Sequence, residues 1–149
     1  MSQTQNKISV SPQGEAFPLP ELSDYAAEYE RVKALAEAAR ESGKEVVVVM
    51  GVGFVGAVMA AIVADCEGKD GQPSKFVIGC QRPSTRSFWK IPLLNRGVSP
   101  VKAEDPQVDL LIGRCVLEKK TLIATYNSQV LDLADCVVID VQCDFLKQE

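Results

Sequence analysis

One stretch constrains the fold of this chain more than any other, the residues from Glu45 to Asp65, which read EVVVVMGVGFVGAVMAAIVAD. It begins with four consecutive valines and Met50, a run that is apolar on both faces, as a strand in the middle of a parallel sheet requires. The run ends at a glycine, and the residues that follow are small and apolar, which is typical of a helix packed against a sheet. The stretch therefore predicts a buried strand, a tight turn and a helix in immediate succession.

The turn contains three glycines at the spacing G-x-G-x-x-G. Gly51 allows a sharp turn off the strand, Gly53 leaves room for a pyrophosphate, and Gly56 lets the helix lie close to the sheet. The free N–H groups and the dipole of the helix favour an anion there. In this strand-to-helix context the pattern predicts dinucleotide binding, although a tight turn without a ligand remains an alternative. The predicted binding residues of the turn are Gly51, Val52, Gly53, Phe54, Val55 and Gly56.

Composition excludes several classes of function. The 149 residues suffice for one domain, and a net charge of -4 with 46% hydrophobic and 24% charged residues is ordinary for a globular protein and lacks the basic footprint of a nucleic-acid binder. No segment has the pattern of a signal peptide or a membrane span, so we expect a cytoplasmic protein without membrane contact. The absence of histidine excludes Cys-His nucleophiles and His-ligated metal sites, and five cysteines without a C-x-x-C pair predict reduced, mostly buried thiols.

Two regions are expected along the chain. Residues 1–22 are polar and contain three prolines, which predicts an N-terminal arm without secondary structure, either disordered or ordered only by its contacts. Residues 23–149 are expected to form the dinucleotide-binding domain, beginning with a helix that has Ser23 as its N-cap and Gly43 just past its end. The residues expected to pack this helix against the rest of the domain are Tyr25, Tyr29, Val32, Leu35 and Ala36.

The remaining pattern alternates strands with helices. Further parallel strands are predicted at 76–80, 121–125 and 136–141, with helical segments at 83–95 (bent at Pro92), 103–119 and 126–133 between them. The predicted fold is α/β, a partial Rossmann-like doubly wound sheet with strand order 3-2-1-4 and an extra N-terminal helix. The domain is expected to be truncated after its fourth strand.

The end of the second strand bears on the choice of cofactor. An Asp or Glu commonly binds the adenosine ribose of NAD at this point, but the strand runs into Gln81, followed by Arg82 and Arg86. An uncharged residue with guanidinium groups nearby would tolerate a 2′-phosphate, which favours NADP over NAD. The alternative is that both arginines are solvated residues at the start of a helix.

Four blocks of the sequence are familiar. They are GVGFVG at 51–56, the segment LNRGVSPV at 94–101 with Glu104, the pair Ala124-Thr125, and VQCD at 141–144. In these blocks the chain resembles the UDP-glucose/GDP-mannose dehydrogenase family of nucleotide-sugar oxidoreductases, over the N-terminal NAD-binding domain of that family. The LNRGVSP block is the distinctive part, since most Rossmann domains lack it.

The resemblance implies an enzyme that oxidises the C6 alcohol of a UDP- or GDP-sugar to the carboxylate by two hydride transfers to NAD. It implies that Val55 and the glycines line the pyrophosphate, that Arg86 lies near the adenosine ribose, and that Thr125 contacts the cofactor. The chain departs from the family at Gln81, where these enzymes have an aspartate, and at Cys143, where they have threonine near the nicotinamide half.

The catalytic GGxCxxKD segment of the family has no counterpart here. We therefore expect the chain alone to bind NAD or NADP and to be inactive, with the nucleotide sugar handled by a missing or separate catalytic domain and homo-oligomers possible. Cys143 is not assigned as a nucleophile because no basic neighbour is evident to lower its pKa. The alternative function is a non-catalytic Rossmann-fold interaction or regulatory domain, in which the exposed edge of the fourth strand pairs with another chain.

Overall fold

A computed structural model of the protein describes residues 7–141, which form a parallel four-stranded sheet with helices on both faces and a small separate hairpin. The strands are β1 (Ile8–Val10), β2 (Ala16–Pro18), β3 (Glu45–Met50), β4 (Lys75–Cys80), β5 (Leu122–Thr125) and β6 (Cys136–Ile139). The helices are α1 (Tyr25–Glu41), α2 (Phe54–Ala64), α3 (Lys90–Asn95) and α4 (Gln107–Gly113). Short 3₁₀ helices span Leu22–Asp24 and Ser128–Leu133, and a π-helical turn, Arg114–Glu118, continues α4.

The main sheet has the order β5-β4-β3-β6, and all of its pairings are parallel. The predicted order 3-2-1-4 is therefore confirmed. The valines of β3 are all buried, because this strand has a neighbour on each side and helices on both faces. Since the ligand site of an open parallel sheet lies at the carboxyl ends of its strands, the turn after Met50 stands at the expected place.

Alternation along β3 divides the core into two layers. Val47 and Val49 pack with α2, α3 and α4, while Val46 and Val48 pack with α1 on the opposite face. This arrangement, with helices on both faces of a parallel sheet, confirms the Rossmann-like fold class.

Helix α1 differs from the prediction in two details. Val32 and Ala36 are buried as expected, but Leu35 is 41% exposed and Ala39 completes the buried stripe in its place. Ser23 lies inside a 3₁₀ helix and does not cap α1, which begins at Tyr25. Gly43, with φ +86°, follows the end of the helix as predicted.

The prediction that the N-terminal arm lacks secondary structure is wrong for its described part. β1 and β2 form an antiparallel hairpin in which Ser9 pairs with Phe17. Two contacts with the rest of the domain stabilise the hairpin, and its own polar composition did not predict them. Phe17 is buried under the guanidinium of Arg96, which lies 5.4 Å from the centroid of the Phe17 ring. The hydroxyl of Ser9 accepts a hydrogen bond from the Trp89 amide at 3.1 Å.

The helix predicted at 83–95 is shorter than expected, because only Lys90–Asn95 is helical. Pro92 does not bend α3, since it lies in the first turn, where the backbone N–H has no intrahelical acceptor to lose. The last helical segment is 3₁₀ rather than α, and Asn127 caps it by accepting a hydrogen bond from the Gln129 amide at 3.0 Å. Between residues 7 and 141, no helix has the length and apolar character needed to cross a bilayer.

Candidate functional site

The turn between β3 and α2 requires glycine at two positions. Gly51 has φ +102°, and a Cβ placed on it would lie 2.0 Å from the carbonyl oxygen of Asp140. A Cβ on Gly56 would lie 2.0 Å from the carbonyl oxygen of Gly51. The first glycine thus allows the sharp bend next to β6, and the third allows α2 to begin against the bend, in line with the roles assigned from the sequence.

Gly53 has a different environment. It has an ordinary negative φ, and a Cβ built on it would meet no atom within 4 Å. No side chain caps the first turn of α2, which begins at the next residue, Phe54. The first backbone N–H groups of α2 therefore have no capping side chain, at the positive end of an 11-residue helix.

A cleft of about 470 Å³ opens beside this turn. It lies at the carboxyl ends of β3, β4 and β6, where parallel α/β sheets bind their ligands. The residues that line it are Gly51, Gly53, Phe54, Val55, Gln81, Lys90, Asp140 and Val141. The structure thus brings together five of the predicted cofactor-binding residues and adds three that the sequence analysis did not select.

Val52 and Gly56 support the turn without lining the cleft. The Val52 side chain is fully buried and covers Gly79 of β4, where an added Cβ would lie 2.7 Å from the valine Cγ1. The Val52 N–H donates a hydrogen bond to Oε1 of Gln81 at 3.0 Å. This bond ties the end of β4 to the glycine turn.

Arg82 and Arg86 are exposed and do not line the cleft. The basic residue that lines it is Lys90, at the start of α3, with its ammonium 5.8 Å from the centroid of the Trp89 ring. The chain between β4 and α3 folds into turns, which carries Lys90 back to the strand end. Lys90 was not among the predicted residues, because it lies well beyond the end of β4 along the chain.

Thr125 ends β5 as predicted, but its side chain is engaged away from the cleft. It is buried, it donates a hydrogen bond to Glu28 at 2.8 Å, and it accepts one from the Asn127 amide at 3.3 Å. Glu28 also accepts hydrogen bonds from Arg31, which raise the pKa of that guanidinium. The structure does not bring Thr125 to the glycine turn.

At the end of β6, the predicted contact Cys143 lies outside the described residues. Asp140 is the residue of this strand end that the sequence analysis missed. Its Oδ2 lies 3.0 Å from the position of a Cβ on Gly56, so its carboxylate stands beside the start of α2. The sequence signal that could have identified Asp140 is an acidic residue directly after an apolar strand.

The remaining cysteines are of two kinds. Cys80 and Cys115 are buried packing residues, as expected, and burial raises the pKa of each thiol to about 11, so neither provides a thiolate at neutral pH. Cys66 and Cys136 are exposed, which corrects the expectation of a buried thiol at these two positions. Exposure follows from their positions, in a loop and on an edge strand.

The LNRGVSP block serves the structure and does not line the cleft. The Asn95 side chain donates to the Ala124 carbonyl at 3.0 Å and accepts from the Ala124 amide at 2.8 Å, which pairs the outer edge of β5 as a neighbouring strand would. Gly97, with φ +78°, turns the chain against Leu117, and Ser99 bonds to the backbone of Val101. The polar groups of this turn are satisfied locally.

A larger cavity, of about 590 Å³, lies at the outer edge of β5 between α1 and α3. Its walls are mainly apolar, and its charged pair, Glu28 and Arg31, is joined at 2.7 Å. Glu28 and Arg31 are bonded to each other and the Asn95 side chain is bonded to Ala124, so these polar side chains of the cavity are already engaged.

Solved structures of two nucleotide-sugar dehydrogenases match this chain. The chain is similar to NDP-N-acetyl-D-galactosaminuronic acid dehydrogenase from Methanosarcina mazei Go1, with 33% sequence identity and a TM-score of 0.60 over 75% of this chain and 22% of that one. The resemblance to nucleotide-sugar dehydrogenases is confirmed. A UDP-glucose dehydrogenase from the hyperthermophilic archaeon Pyrobaculum islandicum shares the fold, with a TM-score of 0.51 and 21% identity over 66% of this chain and 20% of that one.

The chain spans about a fifth of the length of the nucleotide-sugar dehydrogenases that it matches. No protein-family model matches it, and no curated protein does. The matching structures therefore support a dehydrogenase-like Rossmann domain.

Proposed function

We propose that this chain is the dinucleotide-binding domain of a nucleotide-sugar dehydrogenase that oxidises the C6 alcohol of a UDP- or GDP-sugar to the carboxylate, with NAD or NADP as the cofactor. One observation carries the proposal: at the carboxyl end of the central strand, Gly53 faces open space next to an uncapped helix N-terminus. A diphosphate needs this combination of close backbone approach and free N–H donors.

In this proposal the chain binds and orients the cofactor. The N–H groups of the first turn of α2 hold the diphosphate, Phe54 and Val55 shield one wall of the cleft from water, and Lys90 provides a cation on the β4 side. A bound nicotinamide dinucleotide would supply the hydride acceptor, and no described residue is assigned to the chemical step. The nucleotide sugar is held by a catalytic part in the same polypeptide or in a separate one.

A titration with NAD and NADP tests this function. Trp89 is the only tryptophan and stands next to Lys90, so its fluorescence reports on the cleft, and calorimetry gives an independent measure. We expect saturable binding of at least one dinucleotide. The informative variant is Gly53→Ala, whose added methyl group has room in the fold but enters the space proposed for the diphosphate.

We expect Gly53→Ala to weaken binding by about tenfold or more, because one lost charge-assisted hydrogen bond already corresponds to about that factor. The matched control is Gly113→Ala, at the end of α4, where a Cβ would have an ordinary 3.6 Å contact. If neither dinucleotide binds at millimolar concentration, or if Gly53→Ala binds as well as the parent chain, the proposal is wrong.

The exposed edge of β6 favours a second candidate function, a non-catalytic interaction domain. Within residues 7–141, β6 pairs only with β3, and Val137 and Ile139 are 44% and 72% exposed on the face that α1 covers elsewhere. Such an edge can accept a strand from another chain. Sedimentation and dinucleotide titration separate the two candidates: self-association that Ile139→Lys abolishes, in a chain that binds no dinucleotide, would favour the interaction domain.

A further inference from the structure

The side chain at the end of β4 has already used its hydrogen-bond acceptor. Gln81 Oε1 accepts the Val52 N–H at 3.0 Å, within the turn itself. The other polar atom of the side chain is Nε2, which donates hydrogen bonds and cannot accept them. A free ribose 2′-hydroxyl normally donates to a carboxylate at this position, so Gln81 replaces an anionic acceptor with a neutral donor.

The cleft has an acidic residue, but it stands on the opposite side. Asp140 follows β6, whereas Gln81 follows β4, and these strands flank β3 on its two sides. With strands spaced about 4.8 Å apart, the backbones of the two strand ends are roughly 10 Å apart. Among the residues that line the cleft, none provides a carboxylate on the β4 side.

The β4 side instead has a cation. Lys90 lines the cleft together with Gln81, and within residues 7–141 its ammonium has no ion-pair partner. Its nearby aromatic contact with Trp89 positions the side chain without neutralising its charge. A neutral donor and an uncompensated cation suit a phosphate dianion better than a hydroxyl group.

We infer that the cleft prefers dinucleotides that carry a 2′-phosphate on the adenosine ribose, with Lys90 as the cation that pairs with this phosphate and Gln81 in place of the acid that would repel it. The inference rests on the proposed function and narrows its ligand from NAD or NADP to NADP. It assigns this specificity to Lys90, whereas the sequence analysis assigned it to Arg82 and Arg86.

Two pairs of ligands that differ only in the 2′-phosphate test the inference on the whole chain. Adenosine 2′,5′-bisphosphate is compared with AMP, and NADP with NAD, by Trp89 fluorescence and by calorimetry. We expect the phosphorylated member of each pair to bind about tenfold tighter or better, the factor that one charge-assisted contact provides. The preference should decrease with added salt, because the contact is electrostatic.

Two variants assign the preference to residues. Lys90→Gln should bring the NADP-to-NAD affinity ratio to within about threefold of one, and Gln81→Asp should reverse it by placing a carboxylate next to the 2′ position. Lys69→Gln, in an exposed loop, is the matched control that removes a lysine elsewhere and should keep the parent ratio. Circular dichroism and thermal melting check that every variant is folded.

Each outcome is decisive. If NAD binds as tightly as NADP, the 2′-phosphate preference is wrong while dinucleotide binding stands. If Lys90→Gln weakens both dinucleotides equally, the preference stands and its assignment to Lys90 is wrong. If a double Arg82→Gln, Arg86→Gln variant abolishes the preference and Lys90→Gln does not, the assignment to Lys90 is wrong. If no dinucleotide binds at all, the proposed function fails and the inference fails with it.

Discussion

Two glycine-containing turns of this molecule both belong to the sequence blocks that resemble nucleotide-sugar dehydrogenases, and they differ in what they leave available. In the turn at 51–56, Gly53 meets no atom within 4 Å and the following helix is uncapped. In the turn at 95–100, the amide of Asn95 and the hydroxyl of Ser99 are bonded to the backbone. We call the first turn open, because Gly53 leaves space for a ligand, and the second closed, because these two polar side chains are already bonded to the backbone.

The resemblance to nucleotide-sugar dehydrogenases thus rests on two kinds of residue: those that leave room for a ligand and those that only stabilise the fold. The open turn carries the proposed function, whereas the closed turn protects the outer edge of β5, which would otherwise present an unpaired N–H and C=O. Residues that bind a ligand and residues that stabilise the fold are both expected to be shared by proteins of one fold. The LNRGVSP block, although it is the more distinctive one, therefore need not be the binding site. A substitution at Gly53 should therefore weaken binding without loss of stability, whereas a substitution at Asn95 should lower stability without loss of binding.

The largest effect is expected for Gly51→Ala in the open turn. The substitution combines a φ of +102° with a Cβ 2.0 Å from the Asp140 carbonyl oxygen, so the backbones of β3 and β6 must move apart. We expect a loss of about 3 kcal/mol or more in the free energy of unfolding, measured by urea denaturation. Gly53→Ala is the control within the same turn and should keep the parent stability; an equal loss in both variants would show that the turn is not open at Gly53.

The next effect is expected for Asn95→Ala in the closed turn. It removes two hydrogen bonds to Ala124 and should lower the free energy of unfolding by about 2 kcal/mol, at about 1 kcal/mol for each bond. Asn95→Asp keeps the acceptor for the Ala124 amide but loses the donor, so its free energy of unfolding should lie between those of the parent chain and Asn95→Ala. Dinucleotide affinity, measured in parallel, should stay at the parent value; a loss of affinity without a loss of stability would assign the block to the binding site.

The sequence was sufficient for the features that follow from local patterns. The valine run of β3 could be placed at the centre of the sheet because only a doubly covered strand is apolar on both faces. The roles of Gly51 and Gly56 followed from their spacing, since a bend and a close helix contact need glycine wherever they occur. Strand order followed from the alternation of strands and helices together with the short connections.

The features that the sequence did not provide depend on contacts distant along the chain. The β1–β2 hairpin is stabilised by Arg96 and Trp89, about 80 residues away, so its own polar composition gave no signal. Lys90 reaches the cleft only because the segment after β4 folds back, and Thr125 is held by Glu28, from a helix that precedes the glycine turn. Pattern reasoning locates strand ends, but it does not determine which side chains turn towards them.

A further contrast, between the two ends of α2, leads to a pH-dependent prediction. The N-terminal end is uncapped, whereas Asp65 at the other end accepts from Arg114 Nε at 2.9 Å and lies 3.0 Å from Lys119 Nζ. The hydrogen bond from Arg114, aided by Lys119, lowers the pKa of Asp65 from 3.8 to about 2. A carboxyl with a depressed folded-state pKa contributes stability above its unfolded pKa, and this contribution is lost as the pH falls towards 2.

We therefore expect Asp65→Asn to lower the free energy of unfolding by about 1 kcal/mol at pH 6, a value reduced for the partial exposure of the pair. The difference from the parent chain should shrink at pH 2.5, where part of the parent contribution is already lost. Urea denaturation at both pH values measures it, with Asp70→Asn in an exposed loop as the control. A difference of the same size at both pH values would mean that the ion pair does not contribute through the charge of Asp65.

The smallest effect is expected at Asp140, the acidic residue that follows β6 and stands beside the open turn. Its carboxylate stands beside the start of α2, where the proposed diphosphate would also lie, so the two negative charges repel each other. Asp140→Asn should therefore tighten dinucleotide binding by about threefold at low salt, and by less at high salt, because the repulsion is screened. Asp105→Asn, on an exposed loop, is the control for a general change of net charge. Weaker binding by Asp140→Asn would reverse the role of this carboxylate, since it would then accept a hydrogen bond from the ligand, and the open turn would recognise more than a diphosphate.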